Sequence, residues 1–376
     1  MLMGKRFSFG LPVKNNIVLF HENHEHILKN LILPQISFFT YKTSPETFYI
    51  SIVLVFNYIK QLFHYKWVNI IKNKLTFRNF FSELINNYRL VTIKYINPKI
   101  IITFIDDSGS FHWLSKNYSD IEYFAIQNGN RINKQLEKSD YFYHDHFFCF
   151  GDYEKEQYNK YNIVVKNFYP VGSFLSDYNS SGEQKLKYDL CIPSVWPAHN
   201  ETQFDSMELM DNYINRYIEE FDIKAIIYLR TDDAFNKRPH QYCRYYKSEK
   251  DYYNKIYTNN VVFHERNQNN LSVYDIMNSS EVSVGFLTTT IREAYGRGKK
   301  AIYCDFTQTT KYNDYNKNLL FTNANYNDFK IKLNNLLNEP YDEYIKRNKE
   351  YSSYIMHYDP NMATHKMIRN KLDEYL

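Results

Sequence analysis

Three consecutive threonines stand between two predicted strands in the segment that runs from residue 281 to residue 305. The segment reads EVSVGFLTTTIREAYGRGKKAIYCD, which predicts a strand, a turn, a short helix and a second strand. Thr288, Thr289 and Thr290 would lie at the start of this helix, where hydroxyls and free backbone N–H groups bind anions with help from the helix dipole. Gly285 would let the backbone approach a ligand closely. The spacing predicts a site for a phosphate group carried by a nucleotide.

The start of this helix also has a second interpretation. Residues 290–293 read TIRE, which is a T-x-x-E capping box, and in a capping box the Glu293 carboxylate bonds the helix start without any ligand. If the segment binds a nucleotide, Glu293 would instead face a ribose hydroxyl pair. Phosphate binding is favoured, and both interpretations stay open.

Polar residues follow two more predicted strands in the second half of the chain. Arg230 and Asp232 come directly after an apolar run that ends at residue 229. The planar guanidinium of Arg230 suits a phosphate, and Asp232 could act as base or nucleophile, although aspartates are also common turn formers. His264 and Glu265 end the next predicted strand and could hold the base or ribose of a nucleotide.

The first half offers a matching set of polar residues. Asp106 and Asp107 end a buried strand, where a carboxylate could take a proton from an incoming hydroxyl, but Asp-Asp-Ser-Gly is also ordinary turn chemistry. Gln127, Asn128 and Arg131 follow the next strand and could bind an acceptor by hydrogen bonds. We expect ligands beyond the carboxyl ends of the strands, so these two sets would face each other across a cleft.

Composition and missing motifs exclude several functional classes. The net charge of +4 comes from 46 basic and 42 acidic residues, which is too balanced for a nucleic-acid-binding protein. The four cysteines form no closely spaced pair, and the run His144-Asp145-His146 has no third ligand nearby, so no metal and no cofactor are expected. GxGxxG after the first strand, GxxxxGK[ST] and GxSxG are all absent, which weakens dehydrogenase, P-loop and hydrolase interpretations.

The N-terminus lacks the apolar region of a signal peptide, so a cytoplasmic protein is expected. The most apolar run, FYISIVLVF at residues 48–56, is far shorter than the ~20 residues that cross a bilayer. A buried helix is the favoured interpretation of this run. The alternative is a contact with a membrane surface, which would make the protein peripheral at the inner membrane.

Short apolar runs alternate with helical stretches along both halves of the chain, a pattern typical of an α/β fold. With 376 residues, the chain is long enough for two Rossmann-like domains that face each other across a cleft. The polar stretch from 176 to 187 predicts a linker. We therefore predict an acceptor-side domain over 1–175, a nucleotide-sugar-binding domain over 188–340 and helices crossing back onto the first domain over 341–376.

Several of these motifs together resemble those of bacterial surface-carbohydrate biosynthesis proteins, which are glycosyltransferases of the GT-B fold. Among them, the retaining β-Kdo transferases are the most similar. The resemblance rests on DDSG at 106–109, AIQNG at 125–129, CFGDYEK at 149–155, YPVGS at 169–173 and TIREAYGRGKK at 290–300.

The resemblance implies two facing Rossmann-like domains, a nucleotide-sugar held by the second, an acceptor held by the first and no metal. For the Kdo-type relatives it implies a CMP-activated donor and a carboxylate nucleophile, for which Asp232 is a candidate. The sequence departs from the family after the first strand, where a glycine-rich loop is missing. It also lacks a Glu-x7-Glu pair, because Gly285 stands eight residues before Glu293.

The leading hypothesis is a sugar transferase that acts on a surface polysaccharide or a lipid-linked glycan precursor. Its partners would be a nucleotide-sugar donor and a glycan acceptor, with peripheral membrane association as a further option. Two rivals stay open. One is a nucleotide-sugar epimerase or hydrolase of the same fold, and the other is a non-catalytic component of glycan assembly.

Overall fold

The computed structural model describes most of the chain. The described residues are 6–43, 46–64, 77–131, 136–137, 142–178, 185–196, 201–230, 246, 248–258, 260–265, 272–286, 288–307 and 318–376.

Strands alternate with helices along the described residues, as the apolar pattern predicts. The strands are β1 (Arg6–Phe9), β2 (Ile17–Phe20), β3 (Phe39–Tyr41), β4 (Thr47–Ile50), β5 (Ile100–Thr103), β6 (Glu122–Ile126), β7 (Tyr143–Cys149), β8 (Val164–Pro170), β9 (Tyr188–Pro193), β10 (Ala225–Tyr228), β11 (Val261–His264), β12 (Ser280–Gly285), β13 (Lys300–Cys304) and β14 (Leu320–Phe321). The helices are α1 (Glu25–Leu31), α2 (Ile52–His64), α3 (Phe77–Ile96), α4 (Gly109–Asn117), α5 (Asp152–Lys160), α6 (Phe174–Tyr178), α7 (Glu201–Phe221), α8 (Glu249–Ile256), α9 (Val273–Asn278), α10 (Thr289–Gly296), α11 (Tyr326–Asn338), α12 (Tyr341–Ile355) and α13 (Thr364–Asp373).

Two parallel sheets organise these elements. The first has the order β3-β2-β5-β6-β7-β8 and the second the order β11-β10-β9-β12-β13-β14, while β1 and β4 pair separately. Each sheet is built from one half of the chain, and helices connect its parallel strands. The prediction of two Rossmann-like domains facing across a cleft is confirmed.

The first sheet is buried on both faces, which explains why its strands read as unbroken apolar runs. In β5, Ile100 and Ile102 pack into one core together with Phe124. Ile101 points the other way and packs with Tyr123. Alternation along a strand thus places every β5 isoleucine in a core and fixes the register of the sheet.

The last two helices return to the first domain, as predicted. Ile368 and Leu372 of α13 are buried in the same core as Ile17 of β2. Helix α12 contacts both α5 of the first domain and α10 of the second. The C-terminal helices therefore hold the two domains together.

The apolar run at residues 48–56 does not form the buried helix that was favoured. Its first residues belong to strand β4 and its last residues to helix α2, and most of the α2 apolar side chains are exposed. That interpretation was wrong because apolar content alone does not say which side chains a neighbour covers. No helix in the described segments combines the length and the apolar content needed to cross a bilayer.

The segment from 354 to 357 lies along the junction of the two domains, which we call the seam. One glycine of each domain faces this segment. A Cβ added at Gly151 would overlap the backbone of Tyr354, and one added at Gly296 would overlap the side chain of Met356. The seam is also hydrogen-bonded, since the His357 amide donates to the Phe150 carbonyl over 2.6 Å. Only residues without a side chain let this segment approach both domains so closely.

Replacing Gly296 by alanine should therefore destabilise the protein. We expect Gly296→Ala to lower the free energy of unfolding by ~1–3 kcal/mol through overpacking against Met356. Urea denaturation of both variants is the measurement, with Gly109→Ala as the control, because a Cβ at Gly109 meets nothing within 4 Å. Equal stability of the two variants would contradict the close approach.

Candidate functional site

A cleft of about 720 Å³ lies between the two domains, beyond the carboxyl ends of strands β9 and β10. Its walls come from the loops after these strands, from the starts of α9 and α10, and from α1 and α6 of the first domain. The lining residues are His24, His26, Ile27, Leu175, Pro193, Ser194, Val195, Tyr228, Arg230, Ser272, Val273, Tyr274, Thr288, Thr289 and Thr290. Its position is where parallel α/β sheets place their ligands.

The three threonines form one wall of this cleft at the N-terminus of α10. Thr288 caps the helix, and its hydroxyl oxygen accepts a hydrogen bond from the Thr290 amide over 3.3 Å. The positive end of the helix dipole and the threonine hydroxyls therefore face the same space. The alternative capping box, with Thr290 as cap, is not formed because the helix begins two residues earlier.

Gly285 allows helix α10 to pack closely on the strand before it. A Cβ added there would stand 2.7 Å from Cγ1 of Ile291 and 3.1 Å from Cγ2 of Thr288. The missing side chain makes room for helix α10 itself. The residue therefore sets how closely α10 packs on the end of β12, and close approach of a ligand to the Gly285 backbone stays a prediction.

Glu293 is buried and lies behind the cleft wall. Its carboxylate accepts a hydrogen bond from the Ser173 hydroxyl of the first domain and another, over 2.9 Å, from the Tyr274 hydroxyl. Burial raises the pKa of Glu293, and these two hydroxyl donors act in the opposite direction. Glu293 does not line the cleft, but Tyr274 does, and Glu293 holds the Tyr274 hydroxyl in place.

Arg292, one residue earlier, is almost fully buried at the junction of the domains. Its guanidinium forms an ion pair with Glu154 at 2.6 Å and donates to the Ile355 carbonyl over 2.5 Å. It also donates to the Asn130 side chain over 3.1 Å, and the Asn130 amide donates to the Thr289 hydroxyl over 3.1 Å. The first domain thus binds α10 through an ion pair and hydrogen bonds at the turn that carries the threonines.

The predicted acid-base residues of the first domain form an internal network. Asp106 is buried and accepts hydrogen bonds from the Asn128 amide (3.0 Å) and from Nε of Arg131 (3.1 Å). Burial raises the pKa of Asp106, while Arg131 and the Asn128 amide oppose this effect. Asp107 is partly exposed, with its carboxylate 3.6 Å from Arg131. Asp106 therefore orients Arg131, and Asp107 is the more accessible of the two carboxylates.

Gln127 was predicted to bind an acceptor, but its side chain is engaged within the protein. The amide oxygen accepts from the Phe150 backbone over 2.8 Å, and the amide nitrogen donates to Glu154 over 3.2 Å. Gln127 thereby holds the carboxylate that faces Arg292. Gln127 therefore orients Glu154 inside the first domain.

Arg230 lines the cleft with an exposed guanidinium. This guanidinium has no ion-pair partner in the described part of the chain. His264 is buried and stacks on Tyr228 with ring centroids 5.6 Å apart, and its Nε2 has no hydrogen-bond partner there either. Glu265 points to solvent and pairs with Lys250 at 3.1 Å. Asp232 lies outside the described residues.

Sequence reasoning missed several cleft residues, of which His24 and Tyr274 are the clearest. His24 follows β2 in the position where a glycine-rich loop was looked for, and it adopts a left-handed conformation with φ of 57°. Its ring packs edge-on against Phe104 at 4.9 Å. The rule that strand ends carry ligand residues could have found His24, whereas Tyr274 stands at a helix start and had no such signal.

No family model matches the chain, and no curated protein matches it either. Solved structures do match over nearly the whole length. They include a UDP-N-acetylglucosamine 2-epimerase (17% identity, TM-score 0.52, covering 97% of each chain). S. aureus MnaA in a co-structure with UDP shares 10% identity at a TM-score of 0.56, covering 99% of this chain and 96% of that one. An alpha,alpha-trehalose 6-phosphate synthase from Burkholderia multivorans shares 10% identity at a TM-score of 0.50, covering 96% of each chain. The chain has a GT-B-type fold.

The buried ion pair between Arg292 and Glu154 predicts how variants of the two residues change the stability of the protein. Arg292→Met leaves the Glu154 carboxylate buried without its cation and should cost ~3–5 kcal/mol of stability. Adding Glu154→Gln removes the uncompensated charge and should restore at least ~1 kcal/mol of it. Urea denaturation measures both variants.

The control for this pair is Lys250→Met, which breaks the exposed pair with Glu265 and should cost less than ~1 kcal/mol. A double variant as unstable as Arg292→Met alone would show that the charge of Glu154 is not what Arg292 neutralises.

Proposed function

We propose that this protein is a glycosyltransferase that moves a sugar from a nucleotide donor to a surface polysaccharide or a lipid-linked glycan precursor. The observation that carries the proposal is the N-terminus of α10, which faces the interdomain cleft together with Arg230. A helix N-terminus, hydroxyl groups and a guanidinium are the groups that bind phosphate. The GT-B-type fold agrees with this use of the cleft.

In the proposed complex, the donor phosphate lies between Arg230 and the turn formed by Thr288, Thr289 and Thr290. The nucleoside lies toward Tyr228, whose ring stacks on the buried His264. The Tyr228 ring lines the cleft, and an aromatic face held in place by a stacked neighbour suits a nucleobase. Glu293 takes part through Tyr274 instead of binding the ribose itself.

The donor is proposed to be a pyrimidine nucleotide-sugar. The resemblance to β-Kdo transferases favours CMP and a 2-keto sugar acid such as Kdo. Among the similar solved structures, one is a UDP-N-acetylglucosamine 2-epimerase and another has UDP bound. CMP and UDP are therefore the two nucleotides to compare, with CMP as the first choice.

The acceptor is proposed to enter from the first domain, where Asp107 is the more exposed of the two carboxylates and pairs with Arg131 at 3.6 Å. Arg131 and Thr289 of the cleft wall both lie beside Gly129. As a base, Asp107 would take the proton of the acceptor hydroxyl as the hydroxyl oxygen bonds to the anomeric carbon of the sugar. The bond from that carbon to the donor phosphate oxygen breaks, and the nucleotide leaves with its electron pair. Asp106 would keep Arg131 and Asn128 in place beside the acceptor.

A retaining route would instead need a carboxylate that attacks the anomeric carbon, for which Asp232 stays the candidate. The positive groups that stabilise the leaving phosphate come from the protein, so no metal is proposed.

An epimerase or hydrolase acting on a nucleotide-sugar is the second candidate, favoured by the similarity to the 2-epimerase. It would turn over the donor in the absence of any acceptor. A transferase would leave the donor intact until a glycan acceptor is added. Incubating CMP- and UDP-sugars with and without acceptor separates the two. A non-catalytic assembly component would show neither activity.

Nucleotide binding tests the donor site directly. Arg230→Gln should weaken binding of CMP or UDP about tenfold or more, since a hydrogen bond to a charged group contributes roughly 1.5–3 kcal/mol. Isothermal titration calorimetry is the measurement. Lys250→Gln removes the same charge from the second domain outside the cleft and should leave affinity unchanged. Equal affinities for the two variants would remove Arg230 from the site.

Replacement of the proposed base tests the reaction. Asp107→Asn should lower sugar transfer about a hundredfold or more while leaving nucleotide affinity intact, because general-base catalysis contributes ~10²–10⁴-fold. Asp120→Asn, an exposed loop change in the same domain, should leave transfer unaffected. Transfer by Asp107→Asn at the wild-type rate would show that another carboxylate, such as Asp232, is the base or nucleophile.

A further inference from the structure

Helix α2 carries an apolar stripe on the side that faces away from the protein. Ile52 is 90% exposed, Phe56 67%, Ile59 48% and Phe63 83%. Their spacing of four, three and four residues places them on one face of a helix. The opposite face packs on α3, where the Tyr58 hydroxyl donates to the Leu84 carbonyl over 3.1 Å. Helix α2 therefore packs on α3 with one face and leaves the apolar stripe on the other face exposed.

The small sheet of β1 and β4 extends this stripe. Phe7 is 55% and Phe9 85% exposed, and both stand on the same face of β1 because side chains alternate along a strand. Phe9 pairs in register with Ile50, which is two residues from the start of the α2 stripe. The exposed apolar surface thus runs from β1 to the end of α2. Surfaces of this kind on a folded protein mark interaction sites.

The charged residues of β1, of the loop after it and of the apolar part of α2 are all basic. Residues 6–16 and 50–63 contain Arg6, Lys14 and Lys60 and no aspartate or glutamate. A pocket of about 680 Å³ next to α2 is lined by three lysines and by no acidic residue. Its lining residues are Lys14, Asn57, Lys60, Gln61, Val91, Lys94, Tyr95 and Asn97. An apolar stripe beside clustered ammonium groups matches the acyl chains and anionic headgroups of a phospholipid surface.

We infer that this surface, made of β1, β4, α2 and the three-lysine pocket, docks the protein onto a membrane that contains anionic phospholipid. The apolar side chains enter the interface, and the lysines bind headgroup phosphates. A second copy of the chain fits the surface less well, because a face-to-face pair would bring the lysines of both copies together. The inference goes beyond the proposed reaction, since docking needs no donor and no chemistry.

Vesicle co-sedimentation of the full chain tests this docking. The wild-type protein should bind vesicles of phosphatidylglycerol and phosphatidylcholine in equal parts at least roughly tenfold more tightly than vesicles of phosphatidylcholine alone. Raising the salt to about 0.5 M should remove most of that difference, because screening acts on the lysine contacts. Equal binding to both vesicles, or none, would overturn the inference, and the proposed transferase reaction would stand untouched.

Two sets of variants locate the surface. Phe56→Ser with Phe63→Ser, and separately Lys60→Gln with Lys94→Gln, should each weaken binding to the anionic vesicles roughly tenfold. Val262→Ser with Ile331→Ser, at exposed apolar positions of the second domain, is the matched control and should bind like wild type. Melting temperatures confirm folding. Wild-type binding by both test pairs would overturn the inference.

Light scattering of the same proteins without vesicles tests whether a second copy of the chain covers this surface instead of a membrane. The wild-type chain should keep one mass over a wide range of concentration. A dimer that dissociates in Phe56→Ser with Phe63→Ser would show that the stripe is an interface between copies and would overturn the membrane assignment.

Discussion

The ion pair between Arg292 and Glu154 is the interaction on which the arrangement of the cleft depends. Both groups are buried, and a buried charge is tolerated only when its partner and its remaining hydrogen-bond sites are in place. Arg292 belongs to α10 of the second domain and Glu154 to α5 of the first. The pair can form only when the domains are assembled, so it ties the position of α10 to the first domain.

Other contacts repeat this link on both sides of α10. Ser173 of the first domain bonds Glu293, the Asn130 amide bonds Thr289, and the carbonyl of Ile355 bonds Arg292. The C-terminal segment closes the seam from outside and leaves no room for a side chain at Gly296. The wall of threonines that faces the cleft is therefore held by all three parts of the chain. The proposed phosphate site would therefore be fixed before its ligand arrives, which favours binding.

The sequence alone predicted the two sheets, because buried parallel strands give continuous apolar runs such as residues 99–105. It also predicted that Arg230 and the threonines would lie at one cleft, since both follow strands of one sheet, and both line the cleft between the domains. Partners far apart in sequence could not be predicted. Glu293 bonds Ser173, and Gln127 bonds Glu154, through contacts that have no local pattern. The packing role of Gly285 was missed for a related reason, because the space beside it is filled by a helix whose packing the sequence does not reveal.

The central claim is that nucleotide phosphate binds at the N-terminus of α10 inside the cleft. The amides of residues 288–291 have no carbonyl partner within the helix, and that of Thr290 donates to the Thr288 hydroxyl instead. Such amides exchange more readily than those of later turns unless a ligand covers them. Hydrogen–deuterium exchange with and without CMP or UDP measures this coverage directly. Our account predicts slower exchange at residues 288–292 and at 194–195 when nucleotide is bound. Nucleotide binding that leaves residues 288–292 unchanged and protects amides elsewhere would contradict it.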